Sequence, residues 1–345
     1  MKDIAAHNLE GRTLEQGWKV VRKIVKDTGD TGGFFSVCYE VEKEDKKYFL
    51  KAFNISGFTD DGRTFMENML EMSNAFLYER NLSDYCQKNR VTKVSFVISS
   101  GEEDMPGYSY PKVPYLIFDM ADGDVRHKLD YSKTLDFSWK LKSLHDIAVG
   151  IKQLHGIEVS HQDIKPSNIL LFKSESKIGD LGRSMCPALS GPYDKMFFSG
   201  DRTYSPPEVW YLYQQDEWHE RNYAIDCYLL GSMISYYISG ISMSAHIMKN
   251  LAVLLPIGIS NSFKNDESYL LNAFHTSLIE IKNSIPIESL KADIIQLIEF
   301  LCHPNPEKRG HPQNIRVKGN NYSLERFVGQ LDILHRKAEF ALLNL

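Results

Sequence analysis

His161-Gln162-Asp163-Ile164-Lys165-Pro166-Ser167-Asn168-Ile169-Leu170, followed by Ile178-Gly179-Asp180-Leu181-Gly182, constrains this chain more than any other stretch. It sets an acid, a lysine and an asparagine in one short loop. A second acid lies beyond the apolar run Ile169-Leu170-Leu171-Phe172, which reads as a strand. Phosphoryl transfer calls for such a set: a base for the attacking hydroxyl, a cation for the moving phosphate, and oxygen donors for Mg²⁺. Taken singly, a loop Asp or Asn is a turn former, and a lone Asp-Leu-Gly carries no weight. Their order and their connecting strand give them meaning together.

Composition narrows the field. The chain has 345 residues, 43% hydrophobic and 25% charged, as an ordinary globular protein of one large domain or two lobes would have. A formal charge of −5 leaves no basic footprint for nucleic acid. Cys38, Cys86, Cys186, Cys227 and Cys302 lie far apart with no Cys-x-x-Cys pair, against a zinc site or disulfide framework and in keeping with a reducing cytosol. Met1–Asn8 lacks the apolar core of a signal peptide, and Cys227–Ile238 and Leu251–Ile259 are too short or too interrupted to span a bilayer. The expectation is a soluble cytoplasmic protein with no membrane or nucleic-acid partner.

Strand-like runs fill the first third. Trp18–Val25 and Ser36–Glu42 read as a hairpin, Tyr48–Phe53 as a third strand, and Val94–Ser99 and Tyr115–Met120 as two more. Thr64–Lys88 has helical spacing of Phe65, Met69, Met72, Phe76 and Leu82. From Phe137 the pattern turns helical, with Leu141, Leu144, Ile147, Ala148, Ile151 and Leu154 on one stripe and Gly156 as a stop signal. Beyond residue 205 it is mostly helical, closing with an amphipathic helix over Ser323–Leu345. The border falls at Ala121-Asp122-Gly123-Asp124.

The loop and the Asp-Leu-Gly closely resemble the catalytic loop and metal motif of eukaryotic-type protein kinases, His-Arg-Asp-Leu-x-x-x-x-Asn and Asp-Phe-Gly. The likeness runs from about Trp18 to Gly310. It implies an α+β, two-lobed kinase fold: an N-terminal extension over 1–17, a β-rich lobe over 18–120, a hinge at 121–124 and a helical lobe over 125–345. It also implies ATP with Mg²⁺, or Mn²⁺ in its place. Asp163 would be the base, Lys165 the phosphate stabiliser, and Asn168 and Asp180 the metal ligands. Lys165, two residues beyond the aspartate, is typical of Ser/Thr members, so the implied partners are proteins phosphorylated on serine or threonine, this chain included.

The first lobe carries the rest of the resemblance. Thr28–Val37 resembles the Gly-x-Gly-x-x-Gly-x-Val loop, with Gly32, Gly33 and Val37 as nucleotide contacts; Asp30 and Phe35 stand at the other two glycine places. Glycine matters there because backbone N–H groups must approach phosphates closely. Lys51 would grip the α- and β-phosphates, although a strand lysine among apolar neighbours commonly just extends to solvent. Its partner would be one of Glu67, Glu71 and Glu79. Glu79 best keeps the family's spacing to the next strand, with Ile55–Arg63 as an insertion, and Glu71 comes second. Phe118 would guard the back of the base pocket, and the backbone of Asp119 and Ala121 would meet the adenine edge.

Downstream, Gly200–Glu208 resembles the end of the activation segment. Asp226 resembles the aspartate that opens the central helix, and Arg309 the arginine that pairs with Glu208. These three are structural expectations. The chain departs from the family at Gln162, where arginine is usual, at Asp201, where threonine is usual, and in the glycine loop. A pseudokinase scaffold is the alternative function. A small-molecule kinase of the aminoglycoside or choline type is a third reading, with Lys165 and Glu208 against it.

Overall fold

In a computed structural model, residues 4–25, 35–55, 62–131, 137–213, 215–256, 258–260, 262–317 and 321–343 are described. The chain forms two compact units. The first comprises Met1–Arg90, Ser95–Asp122 and Ala188–Asp194, and the second Val91–Val94, Gly123–Pro187 and Lys195–Leu345.

The first unit is built on five antiparallel strands: β1 (Lys19–Lys23), β2 (Ser36–Lys43), β3 (Lys46–Phe53), β4 (Val97–Asp104) and β5 (Lys112–Asp119), in the order β1-β2-β3-β5-β4. Two residues, Glu44 and Asp45, turn the chain between β2 and β3. Both have positive φ, 52° and 57°, as a two-residue turn that follows the sheet's twist requires. Side chains alternate across the sheet and so feed two cores. On one face Val37, Tyr39, Val41, Leu50, Ala52, Tyr115 and Ile117 pack with Ala5, Ala6, Leu9 and Leu14. The stretch read as an N-terminal extension thus forms part of this core, and the Tyr39 hydroxyl ties it down by donating to the Ala6 carbonyl at 2.8 Å.

The opposite face holds Phe53, Leu116 and Phe118 against α1 (Phe65–Lys88). A reciprocal cap starts this helix: Glu67 N donates to Thr64 Oγ1, and Thr64 N to Glu67 Oε2 at 2.6 Å. Met72, Ala75, Phe76, Glu79 and Leu82 then recur at spacings of three and four along its buried stripe. The strand expected at Val94–Ser99 runs instead over Val97–Asp104, on the sheet edge. Val94 makes only an isolated bridge to Ile178 within the second unit.

The second unit opens with β6 (Gly123–Asp124), α2 (Val125–Tyr131) and α3 (Phe137–His155), then β7 (Ile169–Phe172) and β8 (Glu175–Ile178), which form a small sheet with β6. Leu141, Leu144, Ile147, Ala148, Ile151 and Leu154 of α3 are all buried. This helix does end at Gly156, but the left-handed residue beyond it is Glu158. Next come α4 (Pro207–Trp210), α5 (Trp218–Ser239), α6 (Met243–Leu254), α7 (Phe263–Asn283), α8 (Lys291–Leu301), α9 (Pro312–Ile315) and α10 (Glu325–Leu343). α10 lies along α3 and buries Phe327, Leu331 and Leu334. Among the described residues, no helix is long and apolar enough to cross a membrane.

Candidate active site

The loop after α3 is held from below by one carboxylate. Asp226, fully buried in α5, accepts from Gln162 N on Oδ1 and from His161 N and Ser160 Oγ on Oδ2, each at 2.9 Å. His155 Nε2 lies 2.9 Å from the same Oδ2. Burial pushes this carboxyl up, but the His155 contact and the loop N–H groups outweigh it and hold it below its ordinary range. His161 is buried too, its Nε2 3.0 Å from the Gly179 carbonyl, so the ring joins the loop to the strand end that presents Asp180.

This scaffold sets out the predicted catalytic residues. Asp163 Oδ1 accepts from Asp201 N at 2.8 Å, and Oδ2 from Asn168 Nδ2 at 3.1 Å. Lys165 Nζ sits 3.2 Å from Asp163 Oδ2 and 3.2 Å from Asp201 Oδ2, bridging the two acids. Burial raises the Asp163 carboxyl above the ordinary carboxylate range, against the pull of Lys165 and with a push from Asp180. Burial lowers the Lys165 ammonium, yet the two carboxylates more than restore it, so it stays charged. Asp201, in the place where threonine is usual, turns its Oδ1 to Thr203 N and Oγ1 rather than to Asp163.

Asn168 also donates from Nδ2 to the Asp163 carbonyl at 2.8 Å. That leaves Oδ1 on the other side of the amide, with Ser167 Oγ 3.4 Å away. Asp180 is exposed and left-handed, at φ 58° and ψ 74°. Gln162, one residue before the proposed base, has φ 66°. Such backbone strain on non-glycine residues collects at functional sites. A Cβ at Gly179 would lie 2.7 Å from Leu170 Cδ1, so a larger residue there would require the Leu170 side chain to shift. Among the described residues, no group of three or more His, Cys, Asp or Glu side chains could hold a metal alone. One carboxylate and one amide oxygen suit Mg²⁺, which takes few protein ligands and completes its shell with phosphates and water.

In the first unit, Lys51 Nζ donates to Glu79 Oε1 at 2.9 Å and to Oε2 at 2.8 Å, both side chains largely buried. The other two candidate glutamates are engaged elsewhere: Glu67 caps α1, and Glu71 pairs with Arg63. Phe118 is buried on the Lys51 side of the sheet, facing α1. Asp119 ends β5, its exposed carboxylate 3.3 Å from Lys46 Nζ, and Ala121 lies one residue before this unit's boundary at Asp122. Gly32 and Gly33 lie outside the described residues, as does most of the insertion expected at Ile55–Arg63.

Val37, expected as a nucleotide contact, packs in the core on the sheet face opposite Lys51. In the β2–β3 register Val37 pairs with Ala52 and Cys38 with Lys51. Paired residues share a face, so Val37 points into the opposite core and Cys38 stands beside Lys51. Phe49, two residues before Lys51, also occupies this face, its ring 6.2 Å from that of Phe118. Neither neighbour of Lys51 was singled out from the sequence. The period-2 alternation counted outward from Lys51 was the signal for Phe49.

The second unit completes the set of expected structural residues. Arg309, fully buried, donates to Glu208 Oε1 at 2.7 Å and to Oε2 at 2.8 Å, and to the carbonyls of Ala224 and His303.

The first unit thus carries a buried lysine–glutamate pair and the second a loop with Asp163, Lys165 and Asn168. The protein kinase domain family matches residues 30–318, and the chain belongs to that family. It is similar to an Aurora kinase of Debaryomyces hansenii, 28% identical over 42% of this chain and 34% of the relative. It is also similar to human cyclin-dependent kinase-like 2, at 28% identity over 56% of this chain and 40% of the relative. Human hormonally up-regulated neu tumor-associated kinase matches at 24%, over 63% of this chain and 27% of the relative. The chain therefore spans well under half the length of these curated relatives.

Proposed function

We propose that this chain is a protein kinase that moves the γ-phosphate of ATP to serine and threonine hydroxyls of proteins, itself included. The observation that carries this reading is the contact set around Asp163: a buried carboxylate held by Asp201 N, Asn168 and Lys165. In this reading Asp163 accepts the proton of the attacking hydroxyl, favoured in that task by a carboxyl raised toward neutrality. Lys165 offsets charge on the moving phosphate, and Lys51, steadied by Glu79, binds the α- and β-phosphates. Asn168 Oδ1 and Asp180 would hold Mg²⁺, which supplies charge neutralisation across the phosphates. Incubating the protein with labelled ATP, Mg²⁺ and a general protein substrate tests the reading. Label on serine or threonine supports it. Label on tyrosine alone overturns the residue class, and nucleotide binding without transfer favours a scaffold. The irregular glycine loop is the feature on the scaffold's side, whereas Lys51, Asp163, Asn168 and Asp180 are all present.

If Lys51 and Glu79 act as a pair, Lys51→Met and Glu79→Gln should each lower turnover, by up to about 10²-fold for misplaced phosphates. Glu71→Gln should stay near wild type, because Glu71 pairs with Arg63. A loss at Glu71 as large as at Glu79 would contradict the pairing.

Activity should not depend on phosphorylation of the segment between Asp180 and Glu208. Gln162 is neutral and turned inward, its Nε2 donating to Ser160 Oγ at 2.7 Å, so the cation that would clasp a phosphate is missing. Ser184, Ser199 and Ser205 are buried, and Thr203 is hydrogen-bonded to Asp201, while Ser190 is exposed. Phosphatase-treated enzyme should start without a lag. A lag that shortens with enzyme concentration and vanishes on replacing one of these hydroxyls by alanine would refute this.

A further inference from the structure

Residues 188–194 sit between stretches of the second unit in sequence, yet they pack with the first. Their close approach to α1 is made at a glycine. A Cβ at Gly191 would lie 2.6 Å from Tyr78 Cε2, 2.8 Å from Cζ and 3.1 Å from Cδ2. Real Cβ atoms do not come so near, so a side chain at 191 requires the Tyr78 ring, only 4% exposed, or its helix to move. The segment is folded back on itself, with Gly191 N donating to Asp194 Oδ2 at 2.8 Å. A cavity of about 340 Å³ is lined by residues of both stretches, with Tyr78 and Gly191 among them. Gly191 against Tyr78 is thus a point at which the segment bears on α1. The next residue of the helix is Glu79, held 2.8 Å from Lys51 Nζ.

We infer that Gly191 is a positioning residue: by letting residues 188–194 close on Tyr78, it fixes the rotation and depth of α1 that hold Glu79 against Lys51. The inference rests on the reading of Lys51 as the phosphate-binding lysine. A strap secured by packing suits a chain whose Gln162 offers no phosphate clasp. A side chain at 191 must push away either the Tyr78 ring or the helix turn that carries it, and a helix shifted by an ångström carries Glu79 with it. The cavity gives the ring a second way out, so the two responses must be told apart.

Gly191→Ala and Gly191→Val are compared with wild type for ATP KM and kcat, each also in a Glu79→Gln background. If the strap acts through Glu79, Gly191→Val lowers kcat/KM for ATP by up to about 10²-fold, as a 1 Å misplacement does. In the Glu79→Gln background the same change then adds little, because the two act in one network. Tyr78→Ala, which removes the same contact from the helix side, should lower kcat/KM for ATP in the same direction as Gly191→Val. Wild-type kinetics in Gly191→Val, or an undiminished effect in the Glu79→Gln background, would overturn the inference. Should Gly191→Val fail to fold, the alanine variant carries the same comparisons. Hydrogen exchange of the α1 amides separates this idea from the function reading. A chain with no transferase activity whose Gly191→Val variant exchanges faster around Tyr78 would refute the kinase reading and keep the strap. Unchanged exchange together with unchanged nucleotide affinity would refute the strap.

Discussion

Replacing Asp163 with alanine should lower turnover at saturating ATP by about 10²–10⁴-fold, the usual contribution of a general base. At about 1.36 kcal/mol per tenfold, that is roughly 3–5 kcal/mol of barrier. The loss is expected in kcat rather than in ATP KM, because in the proposed function Asp163 serves the attacking hydroxyl while Lys51, Asn168 and Asp180 serve the nucleotide and its metal. Alanine also removes the acceptor of Asp201 N and of Asn168 Nδ2, so part of the loss will come from a looser loop. The Asp226 contacts to Ser160, His161 and Gln162 survive the change and should keep the loop's backbone path. Single-turnover assays with a fixed peptide, alongside nucleotide binding, would separate the two contributions. A variant that binds ATP normally and still turns over at the wild-type rate would mean that another group takes the proton.

What could be read from the sequence was what is local. Asp163, Lys165 and Asn168 lie within six residues, so one loop brings them together whatever surrounds it. The α3 stripe was legible for a similar reason, six apolar residues at helical spacing with nothing interrupting them. Val37 shows the limit. Alternation along β2 fixes two faces but not which face is which, and an irregular glycine loop gives a poor origin for counting. The turn at Glu44–Asp45 would have given a good one, since pairing outward from it matches Cys38 with Lys51. That turn was hard to centre, because it lies in a run of charges with no Asn-Gly to mark it. The extension of β4 beyond Ser99 has another cause. Gly101-Glu102-Glu103-Asp104 looks unlike a strand, but an edge strand tolerates charge and gains by it, since charge discourages pairing with other chains. The contact of Gly191 with Tyr78 left no local trace at all. It joins residues more than a hundred positions apart and depends on packing alone.

Arg309 offers the largest stability effect. Its guanidinium is fully buried, doubly hydrogen-bonded to Glu208, and stacked with its carbon centre 5.0 Å from the Tyr228 ring centroid. Arg309→Met would fill similar volume but strand the Glu208 carboxylate in a site only 3% exposed. Breaking a buried pair from one side costs about 3–5 kcal/mol, mostly as the penalty of the charge left behind. The carbonyls of Ala224 and His303 lose their donor as well, which adds to the cost. The same reasoning predicts that Glu208→Leu with Arg309→Met is less damaging than Arg309→Met alone, since no charge is then left unpaired. Trp210, two residues from Glu208 and hydrogen-bonded through Nε1 to Ser205 Oγ, lies in the second unit and can report its unfolding in urea. With two compact units present, the transition followed by this tryptophan must be analysed as its own step. A midpoint drop in Arg309→Met at unchanged slope, partly reversed in the double variant, is the expected result. Purely additive single and double variants would mean that the pair is not coupled, and that Arg309 supports the fold through the two carbonyls and the Tyr228 ring instead.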